Sequence, residues 1–166
     1  GGAYTATRTP TYQARAQLFV SISRSAGVSD LTQGGLFTQQ RVKSYADLVS
    51  TPYVMQPVID TLHLPYTADE LADRVHASSH LDTVMLEVLV DDADAARSRD
   101  IANTIISLLP TVIGELETPH GEASSPVKIK AVRSATLPRS PVSPRWAFNL
   151  PIAMLVGLSG ALTLTL

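Results

Sequence analysis

Cysteine is missing from all 166 residues, which excludes a disulfide framework, thiolate catalysis and cysteine-ligated metal while leaving the redox compartment open. Charge is sparse too. Asp, Glu, Lys and Arg make up 17% of the chain and the formal net charge is -2, so neither a disordered polyelectrolyte nor a nucleic-acid-binding protein is indicated. No phosphate-binding loop is written, because Gly34-Gly35 lacks a following Gly-Lys-Ser or Gly-Lys-Thr and follows no strong strand. There is no G-x-S-x-G elbow, and no spacing sets the Ser, His and Asp residues apart from background. A hydrolase is therefore a poor fit, and nothing in the chain requires a cofactor. The opening GGAYTATRTP has neither an initiator Met nor the progression of a signal peptide, so the chain reads as a fragment of something longer.

Two further absences meet near the C-terminus. Between residues 126 and 146 there is no acid, while Lys128, Lys130, Arg133, Arg139 and Arg145 are present. From residue 147 to 166 there is no ionisable side chain, a run of about 20 residues that suffices to cross a bilayer core. A buried core helix would show a polar stripe, whereas here only Asn149 and scattered Ser and Thr interrupt the run. A transmembrane helix is expected at 147–166, with Arg145 and Trp146 suited to the membrane interface. Gly157 and Ala161 form a small-xxx-small pair, a pattern that lets helices approach but is common by chance. A basic segment beside an apolar run favours lipid headgroups over nucleic acid. Joining the two, Pro138, Pro141 and Pro144 recur at intervals of three; proline fixes φ and favours an extended chain, so a semi-rigid strut is expected.

What the rest of the chain contains is legible from its periods. YQARAQLFVSI alternates, with Tyr12, Ala14, Ala16, Leu18, Val20 and Ile22 on one side, as in a half-buried strand. SRSAGVSDLTQGG follows as a polar loop or frayed turn. Val42, Tyr45, Ala46 and Val49 then recur at three and four, predicting a helix that stops near Ser50. Thr51 as N-cap and Pro52 at the first helical position start a second helix, whose first turn Pro57 makes irregular. Thr67 and Glu70 have capping-box spacing for a third, ahead of Leu71 and Val75. TVMLEVLV at 83–90 reads as a strand covered on both faces, and Asp91 or Asp92 is expected to cap the helix that follows. That helix carries Ile101, Ile105, Leu108, Val112, Ile113 and Leu116 on its apolar side, and Pro110 is expected to kink or divide it. VKIKAV supplies the last strand.

The expected architecture is α+β: a small, mostly antiparallel, three-stranded sheet packed with helices, followed by a C-terminal transmembrane helix. Residues 1–134 form the domain, 135–146 a proline-rich linker and 147–166 the membrane helix. The first and last strands should lie close together, bringing both chain ends to one side.

Candidate chemistry is thin. His76 and His80, with Asp82 behind them, would share a helix face able to hold a metal, but the glutamate of a catalytic H-E-x-x-H helix is missing, so surface histidines are favoured. Asp91, Asp92 and Asp94 miss the calcium-loop spacing, which favours helix capping. Arg41, Lys43, Tyr45 and Asp47 fit either a solvated, salt-bridged helix face or an intersubunit surface, and the spacing favours the former.

Several strings together resemble one family, the Wzz-type chain-length determinants or polysaccharide co-polymerases. YQARAQLFVS is similar to the family's first extracytoplasmic strand. GGLFTQQRVKSYADLVSTPYVMQPVIDTLHLPYTADEL resembles its Arg-Val-x-Ser-Tyr-Ala helix running into Ser/Thr-Pro and Leu-x-Leu. HLDTVMLEVLVDDADAARSRDIANTI resembles its strand, acidic turn and Ala-rich helix ending in Ile-Ala-Asn, and ATLPRSPVSPRWAFNL matches its proline-rich motif, here Pro138, Pro141, Pro144 and Asn149. The resemblance covers almost the whole chain and is actinobacterial or Gram-positive in style.

It implies a non-enzymatic, membrane-anchored homo-oligomer without cofactor, for which Arg41, Tyr45 and Asp47 are the candidate oligomer surface. Its domain would lie outside the cytoplasmic membrane, where it would regulate the length of a surface or capsular polysaccharide or a lipopolysaccharide. The implied partners are a polysaccharide polymerase, the growing lipid-linked glycan and membrane lipid, with no nucleic acid. The alternative is an extracytoplasmic adaptor that activates a tyrosine kinase, because an autokinase follows the second membrane helix in many relatives. The family's first membrane helix is expected upstream of Gly1.

Overall fold

The computed structural model describes residues 9–22, 31–79, 84–118 and 127–143. Among the described residues the strands are β1 (Tyr12–Ile22), β2 (Val75–Ser79), β3 (Met85–Asp92) and β4 (Val127–Arg133), and the helices are α1 (Leu31–Val49), α2 (Pro52–Leu62), α3 (Ala68–Ala72) and α4 (Ala95–Glu117). The strands form one antiparallel sheet in the order β2-β3-β1-β4. The fold is α+β, and its sheet has four strands where three were expected.

The alternation of β1 sets the layers. Ala14, Ala16, Leu18 and Val20 are buried; opposite the first three in register stand Val90, Val88 and Leu86 of β3, and opposite Val20 stands Ile129 of β4. β2 continues these rows with Val75 and Ala77. Helix α4 lies against β1, β3 and β4, α1 against β2, and α2 against α4. Buried side chains of α4, among them Ile101, Ile105, Leu109 and Ile113, close the core. Each such side chain contributes about 1.5–3 kcal/mol relative to leaving it in water. Ala14 and Ala16 are small enough for the helix to lie close to the central strand.

Among the described residues the other sheet face carries no helix, and there Met85, Leu89 and Asp91 of β3 are half-buried rather than fully covered as expected. Its polar rows are paired across strands instead: Gln13 Nε2 donates to Asp91 Oδ1 at 2.9 Å, and Gln17 Nε2 donates to Glu87 Oε2 at 2.9 Å, with Arg15 at 3.6 Å from the same carboxylate.

Local signals account for most boundaries. The Thr67–Glu70 capping box forms in both directions: Glu70 N–H donates to Thr67 Oγ1 at 3.3 Å, and Thr67 N–H to Glu70 Oε2 at 2.8 Å. Those bonds hold the exposed Glu70 carboxyl below its usual range. Thr51 takes the N-cap position of α2 with Pro52 behind it, but its hydroxyl donates to Leu48 O at 2.7 Å and leaves the helix end uncapped by the side chain. α2 ends at His63, which adopts φ 54° without being glycine and donates its N–H to Ile59 O.

Four expectations change. Residues 31–35, expected as loop, already belong to α1. The third helix does not reach Val75: α3 has five residues, and Val75 begins β2. β3 runs on through Asp92, so the N-cap of α4 is Asp94, whose Oδ1 accepts from Ala96 N–H at 2.8 Å and Arg97 N–H at 3.0 Å. Finally, Pro110 does not divide the long helix, because α4 continues on both sides of it as one element. Among the described residues no helix is long and apolar enough to cross a membrane; the expected membrane helix at 147–166 lies outside the described residues.

Candidate functional site

The proline-bearing segment does not simply leave the domain. After β4 the chain turns onto α4, where Ala135 is only 6% exposed. There the carboxamide of Asn103 takes both backbone groups of one residue: Ala135 N–H donates to Asn103 Oδ1 at 2.8 Å, and Asn103 Nδ2 donates to Ala135 O at 3.1 Å. A side chain thereby does what a neighbouring strand would do. A second tether follows. Val142 N–H donates to Thr11 O at 2.7 Å and Thr11 N–H to Ser143 O at 3.0 Å, an isolated antiparallel bridge. Thr11, just before β1, and Ser143 therefore pass side by side in opposite directions. The expected closeness of the first and last strands is present, β1 pairing with β4, while the two chain ends lie outside the described residues.

Between the tethers lies a strap. Pro138 is half-buried, Arg139, Ser140 and Pro141 are exposed, and Leu137 and Val142 are 51% and 41% exposed. Pro144 and Asn149 of the sequence motif lie outside the described residues, as do Arg145, Trp146, Gly157 and Ala161. Replacing Asn103 by alanine removes both clamp bonds and leaves Ala135 with an unpaired N–H and C=O, a loss of about 1–3 kcal/mol. The expected result is a lower urea midpoint together with faster amide exchange at Ala135; unchanged exchange there would show that the clamp does not hold the strap.

Beside this junction is a dense polar node. Asp92 stands opposite Tyr12 in the sheet register, one residue from the bridge, and is fully buried. Its carboxylate accepts from Arg97 Nε at 2.9 Å and Nη2 at 2.7 Å, from Asp94 N–H at 2.8 Å and from Tyr66 OH at 2.9 Å. The guanidinium carbons of Arg74 and Arg97 lie 4.5 and 5.3 Å from the Tyr66 ring centroid, within cation–π range. Burial works to raise the Asp92 pKa, but the bonds from Arg97, Asp94 N–H and Tyr66 outweigh it, and the carboxyl titrates below its usual range. Burial, then the hydrogen bond to Asp92, pushes the Tyr66 phenol up. The hydrogen bond to Asp92 also raises Arg97. The node fixes the β3–α4 turn beside the point where β1 begins.

The remaining site residues fall elsewhere. Tyr45 is 5% exposed and donates its hydroxyl to Glu117 Oε1 at 3.1 Å, while the Arg41 guanidinium pairs with Oε2 of the same carboxylate. Two residues of the candidate oligomer surface thus tie α1 to the C-terminal end of α4, and Asp47 is exposed. Burial, followed by the Glu117 carboxylate, raises the Tyr45 pKa. His76 is on a strand, not a helix, with its Nε2 3.7 Å from Asp91 Oδ2; His80 and Asp82 lie outside the described residues. No group of three metal-ligating side chains gathers among the described residues. Asn103, Ala135 and Thr11 had no individual sequence signal beyond the Ile-Ala-Asn string.

No family model matches the chain. Among curated relatives it is 28% identical over 156 residues to the probable capsular polysaccharide biosynthesis protein YwqC of Bacillus subtilis, covering 94% of this chain and 61% of that protein. It is 26% identical to the uncharacterized protein YveK of the same organism, covering 93% and 63%. It is 24% identical to the capsular polysaccharide biosynthesis protein CpsC of Streptococcus agalactiae, covering 90% and 62%. A C-terminal segment of the alpha subunit of aIF2 from Pyrococcus abyssi matches at 11% identity, over 76% of this chain and 52% of that one, with a TM-score of 0.36; at that level the likeness carries no argument. Homologues of the chain are thus capsular polysaccharide biosynthesis proteins of Gram-positive bacteria, in agreement with its resemblance to the Wzz-type co-polymerases. The chain spans about three-fifths of the length of these relatives.

Proposed function

We propose that the chain is the extracytoplasmic part of a membrane-anchored regulator of polysaccharide chain length, acting in capsule biosynthesis as an oligomeric scaffold without catalysis of its own. The observation that carries this proposal is the similarity, over nine-tenths or more of the chain, to proteins named for capsular polysaccharide biosynthesis. The bridge between Thr11 and Ser143 supports it: a domain in which these two positions lie side by side suits a membrane helix on either side, of which 147–166 would be one. Its partners would be further copies of itself, a polysaccharide polymerase and the lipid-linked glycan.

Deleting the gene tests the proposal. The expected outcome is a shifted or broadened length distribution of the surface polysaccharide on a gel, restored by the wild-type gene. An unchanged distribution with normal polymer yield would refute length control. Loss of tyrosine phosphorylation with unaltered glycan length would instead favour the kinase-adaptor alternative.

A further inference from the structure

The strap between Ala135 and Ser143 exposes two large apolar side chains, Leu137 and Val142, around the cation of Arg139. Both ends of the strap are fixed to the domain, one by the Asn103 clamp and the other by the Thr11 bridge. We propose that Leu137, Arg139 and Val142 form a lipid-contact patch that seats the domain directly on the headgroups of a phospholipid bilayer. This inference rests on the assignment of 147–166 as a membrane span.

Chain reach sets how near the membrane must be. Only residues 144–146 separate the tethered Ser143 from the start of the uncharged run. Four Cα steps at full extension cover about 14 Å, and the headgroup layer on each side of the hydrocarbon takes up about 5–7 Å of that. A freely swinging linker could hold the domain away, but the bridge fixes Ser143 to β1, so the body of the domain must come down with it. Ser143 is thereby kept within about 7–9 Å of the headgroup surface even at full extension, and seating the domain there puts Leu137 and Val142 where partly exposed apolar side chains are favoured and a cation can reach phosphate. Of the acids at this end, Asp92 is neutralised by Arg97, while Asp91 and Asp94 keep their charge but are held by hydrogen bonds, from Gln13 and from the first amides of α4.

The sequence has a single tryptophan, Trp146, which makes the test direct. The full chain is reconstituted in phosphatidylcholine/phosphatidylglycerol vesicles containing phosphatidylcholine brominated near the top of its acyl chains. Trp146 in the parent chain is compared with W146F/L137W and, in case that variant does not fold, with W146F/V142W. D47W in the W146F background reports an exposed site away from the strap.

The expected result is loss of emission and a blue shift for tryptophan at 137 or 142, approaching that of Trp146, with no quenching at 47. Quenching at 137 should weaken in W146F/L137W/R139E on vesicles containing phosphatidylglycerol. Strong quenching of Trp146 with none at 137 and 142 in folded variants would overturn the patch while leaving the membrane span intact. Absence of quenching at Trp146 itself would remove the span, and the patch with it.

Discussion

Replacing Asp92 by asparagine is expected to lower the stability of the domain by about 3 kcal/mol, the scale for losing a charge-assisted network around a buried carboxylate. The substitution keeps the volume, so the loss isolates charge and hydrogen bonding. The asparagine oxygen can still accept from Asp94 N–H and Arg97, and the amide nitrogen can donate to the Tyr66 hydroxyl, so what is lost is the buried negative charge that faces Arg97. The Arg97 side chain is 33% exposed and can turn toward water, which keeps the loss at the lower end of the range for broken buried pairs. At about 2–4 °C per kcal/mol for a protein of this size, the melting temperature should fall by about 6–12 °C.

The same substitution predicts a change in acid sensitivity. The native Asp92 carboxyl titrates below its ordinary value, so the folded state holds fewer protons than the unfolded state once the pH drops toward about 4. Its contribution is therefore complete above the unfolded pKa and is lost as pH falls through the lower, folded one. Wild-type protein should lose stability along this limb, and Asp92→Asn should lack that part of it. If the variant melts within a degree of wild type and keeps the same acid dependence, the node contributes nothing to the fold.

Where the sequence was legible, one physical signal dominated locally. The alternation in β1 is unambiguous because a single residue of slip would exchange Leu18 and Val20 for Gln17 and Phe19 in the core. The Thr67–Glu70 box is likewise a contact between residues three apart, readable without knowing the fold. β2 was hidden because Val75-His76-Ala77-Ser78-Ser79 has only one β-branched residue, and Leu71 and Val75 suggest a helical interval. What makes it a strand is non-local: Asp91 N–H donates to Arg74 O at 2.9 Å and starts the pairing with β3. Tertiary pairing overrode a weak propensity there.

The acidic turn shows the same limit at the scale of two residues. Three aspartates could each have capped α4, and only the length of β3 decides that Asp94 does so while Asp92 is drawn into the core. The site itself was half legible. The proline spacing and the apolar run pointed to the segment that the Asn103 clamp and the Thr11 bridge tie down, and the meeting of first and last strands followed from their order. The clamp was not legible, because Asn103 and Ala135 are 32 positions apart and neither residue type announces a long-range partner. Arg41 and Tyr45 read as surface positions because Glu117, a partner they share, lies at the far end of another helix.

Pro110→Ala should stabilise the domain by about 2 kcal/mol. Proline inside a helix lacks an N–H and crowds the carbonyl four residues before it, a penalty of about 3 kcal/mol relative to alanine. In α4 that carbonyl belongs to Ile106, and the helix nevertheless continues to Glu117. Packing explains the continuity. Leu109, Val112 and Ile113 are buried on either side of the proline, and the Tyr45 and Arg41 contacts hold the last turn at Glu117, so breaking the helix would expose a large part of the core. Alanine restores the missing donor to Ile106 without adding volume. Part of the gain is offset because proline restricts the unfolded chain, an effect of about 0.4–1 kcal/mol in the opposite direction. The net expectation is a melting temperature higher by about 4–8 °C, measured on the same chain under the same conditions as wild type. A fall in melting temperature would mean that the proline-shaped turn is itself required for Leu109 and Ile113 to reach the sheet, and that α4 is fitted to the core through its irregularity.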